Sequence, residues 1–438
     1  MFHYYFKLGL HSLRRNPVLT ALMVLTLAIG VAASISTLTI LHMMSGNPIP
    51  EKSERLFVPS IDNGPMDRYT AGQMPDDDQV SYRDAMNLLA AGHGLHRTAV
   101  YGVNDAIEPT RADLGVIEVD GAATTSEFFS MFDVPFLYGS DWSPVEDKNA
   151  ANVIVLSRKT SEKLFGNENP VGRHVRIFSD DFHVVGVLGA WSPAPRYTRL
   201  INGNGGNFAG EDDFFIPFNT AIRHQKENSG GTSCQGNPGP GFQGRLDSEC
   251  TWIQFWFEES SSSDRSKLQD YLDAYTREQK KFNRFPRQNI NRVYNVMEWM
   301  DHLHVVSNDG RLSTWLSFGF LALCLVNTVG LLLAKFSVRA GEVGVRRALG
   351  ASRAEIFKQF LIESAVVGLV GGVLGLVFSA AALYLIARQS EGFAVLAHMD
   401  WLMLALTFVL AILASVLAGL LPTWRACQVM PALQLKSQ

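Results

Sequence analysis

The chain has 438 residues, 47% of them apolar, a formal net charge of −4 and a mean hydropathy of +0.06. That length holds more than one folding unit, the mild acidity excludes the basic face of a nucleic-acid binder, and four cysteines exclude a dense disulfide framework. The averages conceal a split, because residues 1–45 and 312–422 are almost wholly apolar while the stretch between them reads as a soluble domain.

Residues 2–13 interleave aromatics and leucines with polar residues ahead of Arg14, which predicts an amphipathic helix on the membrane surface; a disordered tail is the alternative. The first apolar run, Val18–Met44, continues well past the small residues Ala32-Ala33-Ser34. It is longer than the core of a cleaved signal peptide and reads as an uncleaved anchor.

Residues 45–311 alternate between strand and helix patterns. The first part predicts a strand over Arg55–Ile61, a helix over Gln79–Ala91 and a strand over Thr98–Glu108. The last part predicts a strand over Trp252–Phe257, a helix over Asp264–Phe282 and a strand over Arg292–Glu298. These halves, about 50–110 and 250–300, pair into a split α/β unit of ferredoxin-like type.

Residues 111–249 read as an inserted β-rich subdomain. Its strands fall at Ile117–Asp120, Val153–Leu156, Val175–Phe178 and His183–Leu188, its helices at Ser126–Phe132 and Arg158–Phe165. Residues 202–210 and 229–244 are dense in Gly, Asn, Ser and Pro and read as loops. Cys234 and Cys250 bracket the second loop, and a disulfide between them closes about 17 residues, worth roughly 3 kcal/mol in the chain-entropy model; two free thiols are the alternative.

Three more apolar runs follow, Leu312–Ala334, Leu361–Ala387 and Trp401–Leu421, with Glu363 the only charge inside any of them. Each has the roughly 20 residues that cross about 30 Å of hydrocarbon. The fold class is therefore an α-helical membrane protein with four transmembrane helices and an α+β extracytoplasmic domain. Segment 335–360 carries Lys335, Arg339, Arg346, Arg347, Arg353 and Lys358 against Glu342 and Glu355, which assigns it, both termini and the tail 422–438 to the cytoplasm. Residues 45–311 and the turn 388–400 then lie outside. Gly368, Gly371, Gly372 and Gly375 form two overlapping G-x-x-x-G pairs, which serve a tight helix contact either within the subunit or across a dimer.

Enzymatic motifs are missing from the sequence: no G-x-x-x-x-G-K-[ST] phosphate loop, no H-E-x-x-H, no G-x-S-x-G. His302 and His304 would point about 200° apart on a helix, which disfavours a shared metal. Asp76-Asp77-Asp78 lacks calcium-ligand spacing and reads as a solvated face or helix cap. The informative stretch is Ser337–Ser364. It predicts two short helices broken at Gly350, with Glu342 and Arg346 paired at i, i+4, and Val343, Ala348 and Leu349 available for apolar contacts. From the residues alone, a lever for a cytoplasmic partner and a charged loop that fixes topology are both open.

The run from Gly341 to Arg353, with Ile356, Gln359-Phe360-Leu361 and Glu363, resembles the signature of the MacB/FtsX/LolC-type permeases, membrane subunits of ABC transport systems. Gly121–Phe132, Val153–Ser157, Lys163–Gly172 and Val184–Val187 are similar to the MacB-type periplasmic core domain. The resemblance implies a coupling helix whose contacts come from Glu342, Gly344, Val345, Arg346, Arg347, Leu349, Gly350 and Ala351. It further implies a separate ATPase subunit that binds the ATP and Mg, this chain holding no cofactor. A second permease copy or paralogue, a periplasmic adaptor with an outer-membrane channel, and a bacterial inner membrane are expected as well. The glycine-rich loops across 202–244 are longer than the family needs.

Overall fold

The computed structural model describes residues 16–64, 66, 69–70, 78–109, 114–201, 207–208, 210–234, 236–287, 291–388 and 401–427. The surface helix expected over 2–13, the turn expected over 388–400 beyond Arg388 and most of loop 202–210 lie outside these residues. The chain divides into two compact units, one of residues 46–305 and one made of the flanking segments.

In the flanking unit the apolar runs form long helices: Pro17–Ser45, Asn308–Val338, Arg353–Ala387 and Trp401–Cys427. Among the described residues, the first three are long and apolar enough to cross a membrane. Every backbone amide inside such a helix is bonded within the segment, the condition hydrocarbon imposes. Ser307 caps the second helix by accepting from Gly310 N. Ser352 starts the third through a capping box, in which Glu355 N donates to Ser352 Oγ and Ser352 N to the Glu355 carboxylate.

Residues 46–305 carry one mixed sheet of eleven strands: β1 Leu56–Ser60, β2 Val80–Ser81, β3 His96–Ile107, β4 Ile117–Thr124, β5 Phe136–Gly139, β6 Val153–Leu156, β7 His174–Ile177, β8 Asp180–Leu188, β9 Phe214–Pro217, β10 Thr251–Glu258 and β11 Arg292–Asn295. The order is β11-β1-β10-β3-β4-β9-β6-β8-β5, with β2 on β10 and β7 on β8. The β4–β9 and β6–β8 pairs are parallel and the rest antiparallel. β3 pairs with β4 over eight residues, from Val100↔Thr124 to Ile107↔Ile117, so the inserted strands extend the sheet of the flanking halves. β10 is buried along its whole length, as a central strand with both faces covered must be. Helices Tyr82–Ala91 and Arg265–Lys280 contribute Ala85, Leu88, Leu268 and Leu272 to one core. Phe128, Phe132, Trp142, Trp256 and Trp299 build a second.

The strand expected over Ile117–Asp120 runs on to Thr124, and two further elements differ from the expectation. The strand over Arg292–Glu298 stops at Asn295, because Asn295 and Glu298 form a capping box that starts a helix, Val296–His302. The helix expected from Gln79 begins at Tyr82, since Val80–Ser81 pair with β10 and Ser81 serves as the cap, its hydroxyl accepting from Asp84 N.

Between β8 and β9 a short 3-10 helix, Tyr197–Arg199, is fastened by a buried charge network. Arg196 lies 2.7 Å from Asp212, and Arg199 bonds both Asp212 and Asp120. Burial alone raises Asp212, but Arg199 and Arg196 more than offset it and hold this carboxyl below the ordinary range. Trp256 Nε1 donates to Thr198 O at 2.9 Å, tying the same segment to the central strand. Cys234 and Cys250 form a disulfide with Cα atoms 4.2 Å apart, and Cys324 is free and buried in the second long helix.

The β7–β8 hairpin turns at Phe178-Ser179, with φ of 58° and 61°. A left-handed residue other than glycine costs about 1–2 kcal/mol, and Phe178 offsets this by packing on Phe182 and beneath Lys226. Ser179 makes no comparable contact, so Ser179→Gly is expected to stabilise the protein by about 1 kcal/mol, seen as a raised melting temperature; an unchanged or lower value contradicts the turn.

Asp147 is buried and accepts from Ser126 N at 3.0 Å. Burial pushes its carboxyl up to about 6. The unfolded carboxyl titrates near 3.9, so the folded protein holds the proton more tightly. The stability this lends is full below about pH 4 and is lost as pH rises through 6. Asp147→Asn keeps an acceptor for Ser126 and is expected to exceed wild type by about 2 kcal/mol at pH 7 and to match it at pH 4. Thermal melts across that range measure the difference.

Candidate functional site

The second long helix ends at Val338, and a single residue, Arg339, joins it to a nine-residue helix, Ala340–Ala348. Arg339 has φ −95° and ψ 5° and so breaks the helical path. After Ala348 the chain turns at Gly350, whose φ of +100° only glycine adopts without strain, and the third long helix begins at Arg353.

The short helix has an anchored side and an exposed side. Val343 is buried in the apolar cluster of the helical unit, with Met23, Leu27, Leu332, Phe336, Ile356 and Phe360, and Ala351 packs against that cluster. Phe336 and Phe360 place their ring centroids 4.3 Å apart, joining the second and third long helices beneath it. Gly344 is buried too. On the other side Val345, Ala348 and Leu349 share an i, i+3, i+4 face open to solvent, Leu349 being 83% exposed. Glu342 and Arg346 stand 2.8 Å apart, and Arg346 also donates to Gln359 Oε1 at 3.1 Å, which ties the short helix to the third. Arg347 is half-buried and Gly350 exposed.

Val343 is turned inward, and Val345 occupies an exposed position beside Ala348 and Leu349. Gly344 is also buried.

The sequence reading passed over a charge cluster at the root of this helix. Glu363 of the third long helix lies 2.8 Å from Lys335 Nζ of the second, and Arg339 Nη1 donates to both carboxylate oxygens of Glu363 at 3.1 Å. Lys335 is 0% and Glu363 3% exposed at the side chain. The available signal was Glu363 itself, one carboxylate in an apolar run where an isolated charge costs several kcal/mol, four residues beyond Gln359.

The glycine face is also placed. A Cβ on Gly371 would sit 3.2 Å from Leu27 Cβ, and one on Gly375 3.1 Å from Val31 Cγ1 and 3.2 Å from Ala28 O, so both glycines pack on the first long helix of the same chain. Gly368 and Gly372 are buried. Ser36 and Ser379 hydrogen-bond across the same helix pair at 3.0 Å.

His302 stacks on Tyr294 at 4.5 Å and bonds both oxygens of Asp78 at 2.9 Å, so Asp78 is paired and not part of a solvated run; Asp76 and Asp77 lie outside the described residues. No group suited to hold a metal occurs among the described residues.

Long apolar helices before and after, in sequence, a separately packed α+β domain define a membrane protein with one large domain between its first and second helices. The model of the MacB-like periplasmic core domain matches residues 20–262, and that of the FtsX-like permease C-terminal region matches 315–431. The chain belongs to the MacB/FtsX family of ABC transporter permeases.

Among its relatives, the macrolide export ATP-binding/permease protein MacB of Marinobacter nauticus is 24% identical over 72% of this chain and 43% of that protein. The pyoverdine export ATP-binding/permease protein PvdT of Pseudomonas syringae pv. syringae is 24% identical over 72% of this chain and 42% of its own length. The chain thus spans less than half the length of these relatives. The crystal structure of the periplasmic region of MacB from Actinobacillus actinomycetemcomitans aligns at 13% identity over 59% of this chain and 98% of that one, with a TM-score of 0.36.

A side chain at position 375 meets Val31 Cγ1 at 3.1 Å and the carbonyl oxygen of Ala28 at 3.2 Å, both on the first helix. Gly375→Leu is therefore expected to cost about 1–3 kcal/mol and lower the melting temperature in lipid, whereas Gly341→Ala, with open space around it, should not; equal behaviour would contradict the packing.

Proposed function

We propose that this chain is the membrane subunit that converts ATP hydrolysis, by an ATPase lying outside these 438 residues, into movement of its extracytoplasmic domain. The observation that carries the reading is the two-sided helix Ala340–Ala348. One side is fixed to the helical unit through Val343 and Ala351, and the other offers Val345, Ala348, Leu349, Glu342 and Arg346 to a partner. A surface that gains different contacts in two states of a partner transmits the difference between them. ATP and Mg belong to the ATPase in this reading.

In this reading the segment's basic residues favour the cytoplasmic side of a bacterial inner membrane for the helix, with four spans, both termini inside and residues 45–311 in the periplasm. The all-antiparallel order β11-β1-β10-β3, with a helix after β1 and another after β10, supports the split ferredoxin-like reading of the two domain halves. The relatives named for macrolide and pyoverdine export favour export or efflux from the periplasm or inner membrane, driven mechanically by the outer domain. A second permease copy or paralogue completes the pair of membrane subunits, and a periplasmic adaptor with an outer-membrane channel is the expected outlet.

A lipoprotein-extracting complex or one that activates a cell-wall hydrolase uses the same machinery and differs in its periplasmic partner. An ATPase-independent ligand sensor is the reading from another class; it predicts a loop that works with no ATPase bound.

The test is co-purification with the cognate ATPase and ATP turnover in lipid. Glu342→Arg with Arg346→Glu preserves an i, i+4 pair but inverts the charge shown to the partner. It is expected to lower permease-dependent turnover at least about tenfold, the loss of 1.4 kcal/mol of coupling. Absence of a complex, or turnover indifferent to the swap, would leave the sensor reading in first place.

A further inference from the structure

The charge cluster at the root of the short helix has a placement that stability alone does not explain. Arg339 is the break in helical path between the second long helix and the exposed helix, so any rotation of one against the other would fall on its backbone. Its side chain is nonetheless bonded to Glu363 across the hairpin, and Lys335, one turn before the hinge, reaches the same carboxylate. Desolvating these groups is costly, and buried ion pairs replaced by apolar residues of similar volume are often neutral or more stable. The hairpin already has apolar contacts that close it: Phe336 on Phe360, and Val343 with Ile356. The charges are surplus to holding the helices together and sit where bending must be prevented.

We propose that Glu363, with Lys335 and Arg339, is a latch that stops the chain bending at Arg339, so that a push on helix Ala340–Ala348 moves the second and third long helices as one body. Glu363 is a positioning residue in this scheme: it touches neither nucleotide nor ATPase and acts through the hinge. Arg339 Nη1 donates to both oxygens of the Glu363 carboxylate, with Lys335 beside it as counter-charge, and such a directional contact fixes an angle, which apolar packing of Phe336 on Phe360 does not. The inference rests on the reading of that helix as the ATPase contact.

The test uses the full chain with its ATPase in lipid. It compares wild type, Glu363→Gln, and the apolar triple variant Lys335→Met, Arg339→Met, Glu363→Met, which retains side-chain volume and helix propensity. Three quantities are read: ATPase binding, ATP turnover, and the ATP-driven change in amide hydrogen exchange over residues 46–305. The latch predicts that both variants bind the ATPase and hydrolyse ATP as wild type does, while the exchange response falls at least about fivefold, the lower end of ordinary coupling strengths. A folded triple variant with the full response overturns the proposal, since apolar packing then transmits the push unaided. A triple variant that does not fold also overturns it, because the charges then serve stability. Failure of wild type to bind an ATPase removes the underlying reading and is recognised by its showing in the unmutated protein.

Discussion

Charge inside an apolar helix is tolerated only where the protein supplies its partners, and in this chain the partners come from a neighbouring helix. Glu363 sits in a helix that is otherwise uncharged from Leu361 to Ala387. Its carboxylate reaches back to Lys335 and Arg339, a contact that fits the same register in which Phe336 packs on Phe360. Moving either helix by one residue would carry the charges about 100° around the axis and leave them in an apolar medium. Everything carried between those helices inherits that register: the turn at Gly350, the capping box at Ser352, and the orientation that faces Val343 inward and Leu349 outward.

The same accounting holds in the large domain, where the problem is backbone and not side chain. A strand as apolar as β10 has no solvent to satisfy its amides and must be paired on both sides, and β1 and β3 do this. The inserted strands continue outward from β3 through β4, so the insertion shares the sheet with the halves that enclose it. Hydrogen bonds from Trp256 and Gln254 to the backbone of residues 197–198 anchor the connecting segment, and Asp212 with its two arginines closes it.

How much of this could be read from the residues follows from the range of each interaction. Local signals sufficed for the long helices, which need only a sustained apolar run, and for strands such as Val153–Leu156, whose observed bounds are those expected. The strand over Arg292–Glu298 was overextended because Asn295 and Glu298 act as a capping pair, a signal as local as any but overlooked beneath Val293, Tyr294 and Val296. The hairpin at Phe178-Ser179 gave no warning, since neither residue favours a left-handed backbone and the compensation comes from Phe182 and Lys226. Joining of the insertion to the main sheet was not legible either, because no local pattern says which strand β4 will find.

The exposed helix shows the same division in one element. Its charge pair and its ending at glycine follow from spacing, and Glu342, Arg346 and Gly350 occupy those roles in the structure. Which of its apolar residues face outward does not follow, because a nine-residue helix bearing valines at 343 and 345 has two faces of nearly equal character. The choice is made by Met23, Phe336 and Phe360, which arrive from three different segments and take Val343. Val345 is left outside as a consequence of packing elsewhere. A surface of this kind is specified by the core behind it, and a substitution in that core changes what the partner meets as surely as one on the face itself.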